Sequence, residues 1–307
     1  MPADVDNLSP DRATAGTGPD KVIPIRHYGR WVTVAILLVL AAMAIHAIVT
    51  RKGFQWNVVA KYMFSEAVVM GVVRTLVLTL IAMTVGYILG TVVAVMRLSE
   101  NPLLRWFSIT YVWIFRGTPV LVQLLFWYYL AAVFPTLSIG IPFGPEWVTA
   151  DSSKLITQFT AAILGLGLAA AGYMAEIIRA GILSVNSGQI EAAESLGMSR
   201  GMVLRRILLP QAMRMIIPPT GNEMISTLKG SSIVIVIAYS ELMTSVQTIY
   251  SQTFETIPLL IVASIWYLVL TTVLGLGQRY IEKYFSRGYT RRTMKAPKAM
   301  TTTGDVR

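Results

Sequence analysis

The chain has no cysteine and only two histidines, His27 and His46, in 307 residues. Without cysteine there are no disulfides, thiolate metal sites or thiol nucleophiles, and two isolated imidazoles near the N-terminus supply no metal ligand set. Charge is scarce as well: Asp, Glu, Lys and Arg make up 14% of the residues, where a soluble globular domain carries about one quarter. No Gly-Lys pair occurs anywhere, which excludes the glycine-rich phosphate loop ending in Gly-Lys-Ser or Gly-Lys-Thr. The apolar segments hold no nucleophile and base pair, so an intramembrane enzyme is also excluded. What fills the chain is apolar: 54% of the residues are hydrophobic and the mean hydropathy is +0.61. This is the balance of a membrane protein. The net charge of +10 then reads as basic residues flanking spanning helices, with no nucleic acid partner.

Residues 1–30 are rich in Asp, Pro, Gly, Ala and Thr without apolar periodicity, and are expected to form a disordered cytoplasmic tail. The apolar run Trp31–Thr50 has the roughly 20 residues that a helix needs to cross a bilayer core. It starts too late and runs too long for a cleavable signal peptide. His46, inside it, reads as a packed side chain rather than a proton relay. A second span is expected over about Val69–Met96. From Asn101 to Phe134 the helical pattern is too long for one straight crossing, so its first part is expected at the interface and the third span over about Phe115–Phe134. That places Arg116 near the cytoplasmic headgroups. A fourth span ends near Val185 with Glu176 and Arg179 close to its cytoplasmic end, a fifth covers about Pro219–Ser240, and a sixth about Pro258–Tyr280. With both termini inside, nineteen of the 26 Lys and Arg fall on the cytoplasmic side, as orientation demands. The first outward loop, with Arg51, Lys52 and Lys61, is the exception. The resulting division is a tail at 1–30, an extra span and outward loop at 31–68, a core at 69–284 and a basic tail at 285–307.

Between spans four and five the chain reads Glu191-Ala192-Ala193, then Gly197, then Ile207, Leu209 and Pro210. Ser187 is placed to cap a short helix and Gly197 to end it, with a second helix expected to follow as far as Pro210. Apolar residues recur on both pieces, at Ile190, Ala193, Leu196 and Met198 and again at Val203, Leu204, Ile207 and Leu208. A helical hairpin too short to span suits docking into a groove on a soluble partner, the alternative being an interfacial helix on lipid.

This pattern of Glu-Ala-Ala, three residues, Gly, nine residues, Ile, one residue, Leu-Pro resembles the cytoplasmic loop of ABC-importer permeases at all seven fixed positions. The likeness extends over roughly residues 71–284. Stretches similar to the polar amino acid uptake members are Phe115-Arg116-Gly117-Thr118-Pro119-Val120-Leu121-Val122-Gln123, Tyr173 to Gly181, and Leu209-Pro210-Gln211-Ala212-Met213-Arg214. Pro218, Asn222, Lys229 and Glu241-Leu242 also sit where similar permeases have them. The resemblance implies an all-α membrane protein of about six transmembrane helices, with a type I importer permease fold and a cytoplasmic coupling-helix hairpin. It further implies a multi-pass protein of the bacterial inner membrane that imports polar amino acids or similar small polar solutes. Such a chain carries no cofactor of its own. ATP and Mg are bound by a cytoplasmic ABC ATPase dimer, and the remaining partners are a second permease subunit, an extracytoplasmic solute-binding protein and membrane lipid. Glu191, Ala192, Ala193, Gly197, Ile207, Leu209 and Pro210 would then form the ATPase-coupling loop. The span at Trp31–Thr50 and the outward loop from Phe134 to Ser153 are additions to the usual five-span core.

Polar groups at membrane depth usually face the bundle interior or a wet cavity. Lys229 is the deepest charge. With Ser231 and Ser232 beside it, and Thr118 and Gln123 in span three, it marks a candidate translocation path, a structural ion pair or helix-end bond being the other reading. Glu176 and Arg179, three apart on one helical face, read as a local ion pair. Arg116 and Glu223 join them as gating or structural charges. The alternative function, a secondary transporter or channel working without ATP, usually shows an internal repeat or a charge relay, and the sequence has no convincing repeat.

Overall fold

The computed structural model describes residues 28–141 and 146–285 and divides the chain into two units, Met1–Phe54 and Gln55–Arg307. Most of the two expected tails lies outside the described residues. The first unit contains α1 (Tyr28–Thr50), the expected first span, and a short 3₁₀ turn at Lys52–Phe54.

The second unit begins earlier than the expected core boundary at residue 69. The segment read as outward loop folds as α2 (Trp56–Met63), whose Val58 and Val59 are buried. Val59 packs with Val68, Leu242 and Leu259, and the indole of Trp266 donates to the Met63 carbonyl at 2.8 Å. Apolar burial on an amphipathic turn therefore moves residues 55–68 into the core.

Two parallel helices, α3 (Glu66–Leu98) and α7 (Gln158–Leu183), form its centre, and small residues set their spacing. A Cβ at Gly86 would lie 2.8 Å from Ala170 Cβ, and one at Gly90 would lie 2.6 Å from Met174 Cβ and 2.9 Å from the Ala171 carbonyl oxygen. In an apolar bundle, where burial from water no longer separates the alternatives, this close backbone approach is what holds helices together. Around the pair lie α4 (Pro102–Gly117) and α5 (Val120–Val133), which meet at an angle of 104°. Asn101 caps α4, its Oδ1 accepting from Leu103 N at 2.9 Å. Pro119 lacks an N–H and forces Thr118 into an extended conformation, so the helix breaks there and the membrane-directed part starts at Val120 rather than Phe115. With 14 residues, α5 is only about 21 Å long.

The segment expected as a long outward loop contains two strands, β1 (Thr136–Gly140) antiparallel to β2 (Glu146–Asp151). Asp151 caps the short α6 (Ser152–Leu155), its Oδ1 accepting from Ser153 N at 2.9 Å and Ser153 Oγ at 2.6 Å. The Ser153 hydrogen bonds hold its carboxyl below the usual carboxylate range.

After α7 come α8 (Ser187–Ser195) and α9 (Arg200–Val203), a π-helical turn at Leu204–Leu208, α10 (Leu209–Gly230) and a 3₁₀ segment at Ser231–Ile237. The second piece of the hairpin was expected to stop at Pro210. It runs on into span five instead, because Pro210 sits in the first turn of α10, where a missing N–H is tolerated. The chain then bends by 46° into α11 (Leu242–Thr253) and closes with α12 (Thr256–Phe285). Among the described residues four helices are long and apolar enough to cross a membrane, and counting each of the two bent pairs as one span brings the total to six, the expected number.

Candidate functional site

Chain termination at two specific residues builds the hairpin between α7 and α10. Asn186, not Ser187, is the N-cap of α8: its Oδ1 accepts from Gly188 N at 2.8 Å, and Ser187 is the first helical residue. At the other end Gly197 takes φ +76°, a left-handed conformation that glycine adopts without a Cβ penalty. Gly197 N donates to Glu194 O at 2.9 Å and Met198 N to Ala193 O at 3.1 Å, which closes the helix as expected. Gln211 Nε2 donates to Gln189 Oε1 at 2.6 Å and so ties α8 to the first turn of α10.

The motif residues divide by exposure. Ala193 and, in the second arm, Val203 are buried, while Ile207 is half-buried. Glu191, Ala192, Gly197, Leu209 and Pro210 are exposed, and Leu196, at the tip, is 83% exposed. A rigid apolar tip beside a glycine, on a hairpin pinned by side-chain bonds, is a surface shaped for a partner.

Thr118 and Gln123 serve the break between α4 and α5. Gln123 is buried, and its Nε2 donates to Phe115 O, Thr118 O and Thr118 Oγ1 at 3.0, 3.1 and 2.9 Å. Thr118 Oγ1 in turn donates to Ile114 O at 2.8 Å. The amide therefore satisfies carbonyls that Pro119 leaves without helical donors. Ser231 is likewise buried and bonded to Leu228 O at 2.7 Å. Thr118 Oγ1, Gln123 Nε2 and Ser231 Oγ are thus bonded to nearby backbone, while Gln123 Oε1 is buried without a hydrogen-bond partner. Lys229 and Ser232 lie at the junction of α10 and the 3₁₀ segment, where Ser232 Oγ donates to Lys229 O at 2.8 Å and the Lys229 side chain is exposed, with no ion pair among the described residues.

The charged residues form a connected group. Arg179 donates to Glu176 Oε2 through Nε at 3.1 Å and Nη2 at 2.8 Å, the local pair expected from their spacing, and Arg97 from the last turn of α3 approaches Glu176 Oε1 at 3.9 Å. Arg116 departs from expectation. It lies over the Tyr173 ring at 5.0 Å, and a Cβ at Gly172 would come within 3.2 Å of its Cγ. That is close to the middle of α7, about 17 Å from its hairpin end, rather than among headgroups. The absence of a side chain at Gly172 makes room for the guanidinium stem. A pocket of about 320 Å³ opens beside Tyr173 between α5, α7 and α10, with the Glu223 carboxylate, Ser226 and Thr227 on its wall.

A buried network that reading the sequence had not assigned a role lies at the opposite end of the core. Glu241 is fully buried and caps α11, its Oε1 accepting from Thr244 N at 3.0 Å. Its Oε2 accepts from Thr75 Oγ1 at 3.0 Å and Tyr267 Oη at 2.9 Å, and Thr75 Oγ1 accepts from Leu242 N at 3.1 Å. The capping pattern Glu-x-x-Thr was visible; the partners, 166 and 26 residues away, were not. Among the described residues no cluster of three or more His, Asp or Glu is placed to hold a metal ion.

Six spans, an exposed helical hairpin between the fourth and fifth, and a small polar pocket at mid-bundle define a permease subunit of an ATP-driven importer. The profile described as binding-protein-dependent transport system inner membrane component matches residues 86–287, and the chain belongs to this family. It is 44% identical over 287 residues to an arginine transport system permease protein of Corynebacterium glutamicum, covering 93% of this chain and 89% of that protein. A match of that length takes in α1 as well as the core. A probable glutamine ABC transporter permease protein of Bacillus subtilis is 33% identical over 71% of this chain and 93% of its own length. Among solved structures, an amino acid ABC transporter crystallised with histidines matches with a TM-score of 0.62 and 35% identity, over 73% of this chain and 97% of the other. An inward-facing methionine transporter has the same fold, with a TM-score of 0.59 at 20% identity.

Proposed function

We propose that this chain is the permease of a polar amino acid importer, with cationic or amide side chains as the natural cargo, by analogy with the arginine and glutamine relatives. The observation that carries the reading is the pocket beside Tyr173. Its wall carries the Glu223 carboxylate, and the Arg116 guanidinium lies 5.0 Å from the centroid of the Tyr173 ring that lines it. A zwitterionic solute needs both signs, one for its ammonium and one for its carboxylate. Lys229, exposed in the last turn of α10, and Ser232, half-buried at the start of the 3₁₀ segment, complete the path together with a second permease subunit, itself or a paralogue.

Both termini lie in the cytoplasm, and the α8–α9 hairpin docks there on an ATPase dimer that binds ATP and Mg. Glu191, Ala192, Gly197 and Leu196 make the contact, while Ala193, Ile207, Leu209 and Pro210 shape the hairpin that presents them. An extracytoplasmic binding protein delivers the solute at the other face. Closure of the ATPase dimer pushes paired hairpins together, and the spans switch access around the fixed pocket.

The test is co-purification with candidate ATPase subunits, followed by ATP hydrolysis in liposomes. Gly197→Asp is expected to abolish partner-stimulated hydrolysis while the permease stays folded. Unchanged stimulation would remove the hairpin from the coupling role.

A further inference from the structure

A cleft of about 710 Å³ opens between α3, α10 and α12, and its wall is almost wholly apolar, formed by side chains such as Leu80, Ile88, Ile225 and Val273. Along α12 it follows one helical face through Val273, Gly277 and Ile281, about 12 Å in length. At the hairpin end it does not simply stop. Ile217 belongs both to this cleft and to an adjoining pocket of about 410 Å³ whose wall carries Arg214, Arg279, Lys283 and Glu282. Arg214 and Arg279 are exposed, and neither forms an ion pair among the described residues. Glu282 accepts from Gln278 Nε2 at 2.7 Å, which holds the one carboxylate against its own helix.

We propose that this composite site binds one anionic phospholipid, with an acyl chain in the apolar cleft and the headgroup phosphate on Arg214 and Arg279. The chemistry of the two halves fits an amphiphile of that sign and no single-headed alternative. An apolar solute has no use for the guanidinium pair, and a free anion has none for a 12 Å hydrocarbon slot. Basic pockets between spanning helices at the inner surface recognise such headgroups by the same logic. The depth assignment rests on the cytoplasmic placement of the hairpin end proposed above. The binding chemistry does not, because the charged mouth adjoins the slot whichever way the chain faces. Gly277 lines the slot, and a Cβ there meets nothing within 4 Å, so the backbone leaves room for a side chain at this position.

The experiment is native mass spectrometry of the full-length permease, purified in detergent and given equal amounts of dioleoylphosphatidylglycerol and dioleoylphosphatidylcholine. One phosphatidylglycerol is expected to remain bound per chain, with a preference over phosphatidylcholine of order 30-fold. R214Q/R279Q is expected to erase that preference, and Gly277→Phe to expel the lipid while circular dichroism stays unchanged. Equal retention of the two lipids, or an unaltered preference in R214Q/R279Q, would overturn the proposal, as would displacement by inorganic phosphate. If Gly277→Phe instead splits a permease dimer seen by light scattering, the cleft is a subunit interface and the lipid site is wrong. Failure of ATPase coupling in Gly197→Asp bears on the hairpin alone, so the two readings fail separately.

Discussion

Tyr267 donates its hydroxyl to Glu241 Oε2 at 2.9 Å, and through this bond α12 is joined to the cap of α11 and, by way of Thr75, to α3. Each partner of a fully buried carboxylate is expensive to remove, since the oxygen left behind cannot turn to water. Tyr267→Phe deletes one donor and is expected to destabilise the permease by about 1 kcal/mol. Glu241→Leu strands the Thr75 hydroxyl and uncaps α11 together, and should exceed about 2 kcal/mol. Thermal unfolding of the detergent-solubilised protein reads both, and equal midpoints for the two variants and the parent would show that the network contributes nothing.

Gly90 stands where α3 crosses α7, with Met174 Cβ 2.6 Å from the position a Cβ would take. Gly90→Leu must therefore push the two central helices apart, an overpacking change of about 1–3 kcal/mol or more. Gly29→Leu, in open space on α1, serves as the control. A midpoint drop for Gly90→Leu no larger than for the control would mean that this helix contact is loose.

Gln123 and Glu223 are both polar residues inside the bundle, yet the structure gives them different work. Gln123→Leu frees the carbonyls of Phe115 and Thr118 and is expected to lower stability by about 1–3 kcal/mol with solute selectivity unchanged. Glu223→Gln, on the pocket wall, is expected to leave the unfolding midpoint within about 0.5 kcal/mol of the parent and to reduce uptake of a cationic amino acid more than tenfold in proteoliposomes. Reversal of the two phenotypes would return Gln123 to the solute path.

At Gly197 the left-handed backbone and the partner contact can be separated. Gly197→Asn keeps a residue that tolerates positive φ, whereas Gly197→Val adds a branched Cβ where it strains the turn by about 1–2 kcal/mol. Binding of the ATPase subunit, measured by titration calorimetry, is expected to be weakened several-fold by Asn through bulk alone, and to be lost with Val. Identical affinities for both variants would mean that conformation at this glycine does not control docking.

Local pattern made much of this molecule legible. Hydropathy and length anticipated the six spans, the third with its start set too early, the Glu-Ala-Ala spacing located the hairpin, Gly197 announced the end of α8, and the three-residue spacing of Glu176 and Arg179 announced their ion pair. Errors clustered where a neighbour in space overrides a local preference. Residues 55–68 read as a loop because basic residues dominate a short window, yet Val59 finds apolar partners more than 180 residues away, at Leu242 and Leu259. Pro210 read as a stop, although a π-helical turn carries the chain past it. Ser187 was one position late for the cap, and Arg116 was misplaced because the 104° break at Pro119 reorients the end of α4.

The sequence by itself determined that this is a multi-pass membrane permease with an exposed helical hairpin, because periodicity, charge asymmetry and motif spacing are properties of consecutive residues. Only the tertiary structure decided what the polar residues inside it do. Gln123 looked like a path residue and is a backbone clamp, Glu241 was noted only as a position shared with similar permeases and is a three-helix joint, and Glu223 became part of a pocket wall. The physical reason is that a buried polar atom is defined by the partner that satisfies it, and that partner lies at a sequence distance no local pattern encodes.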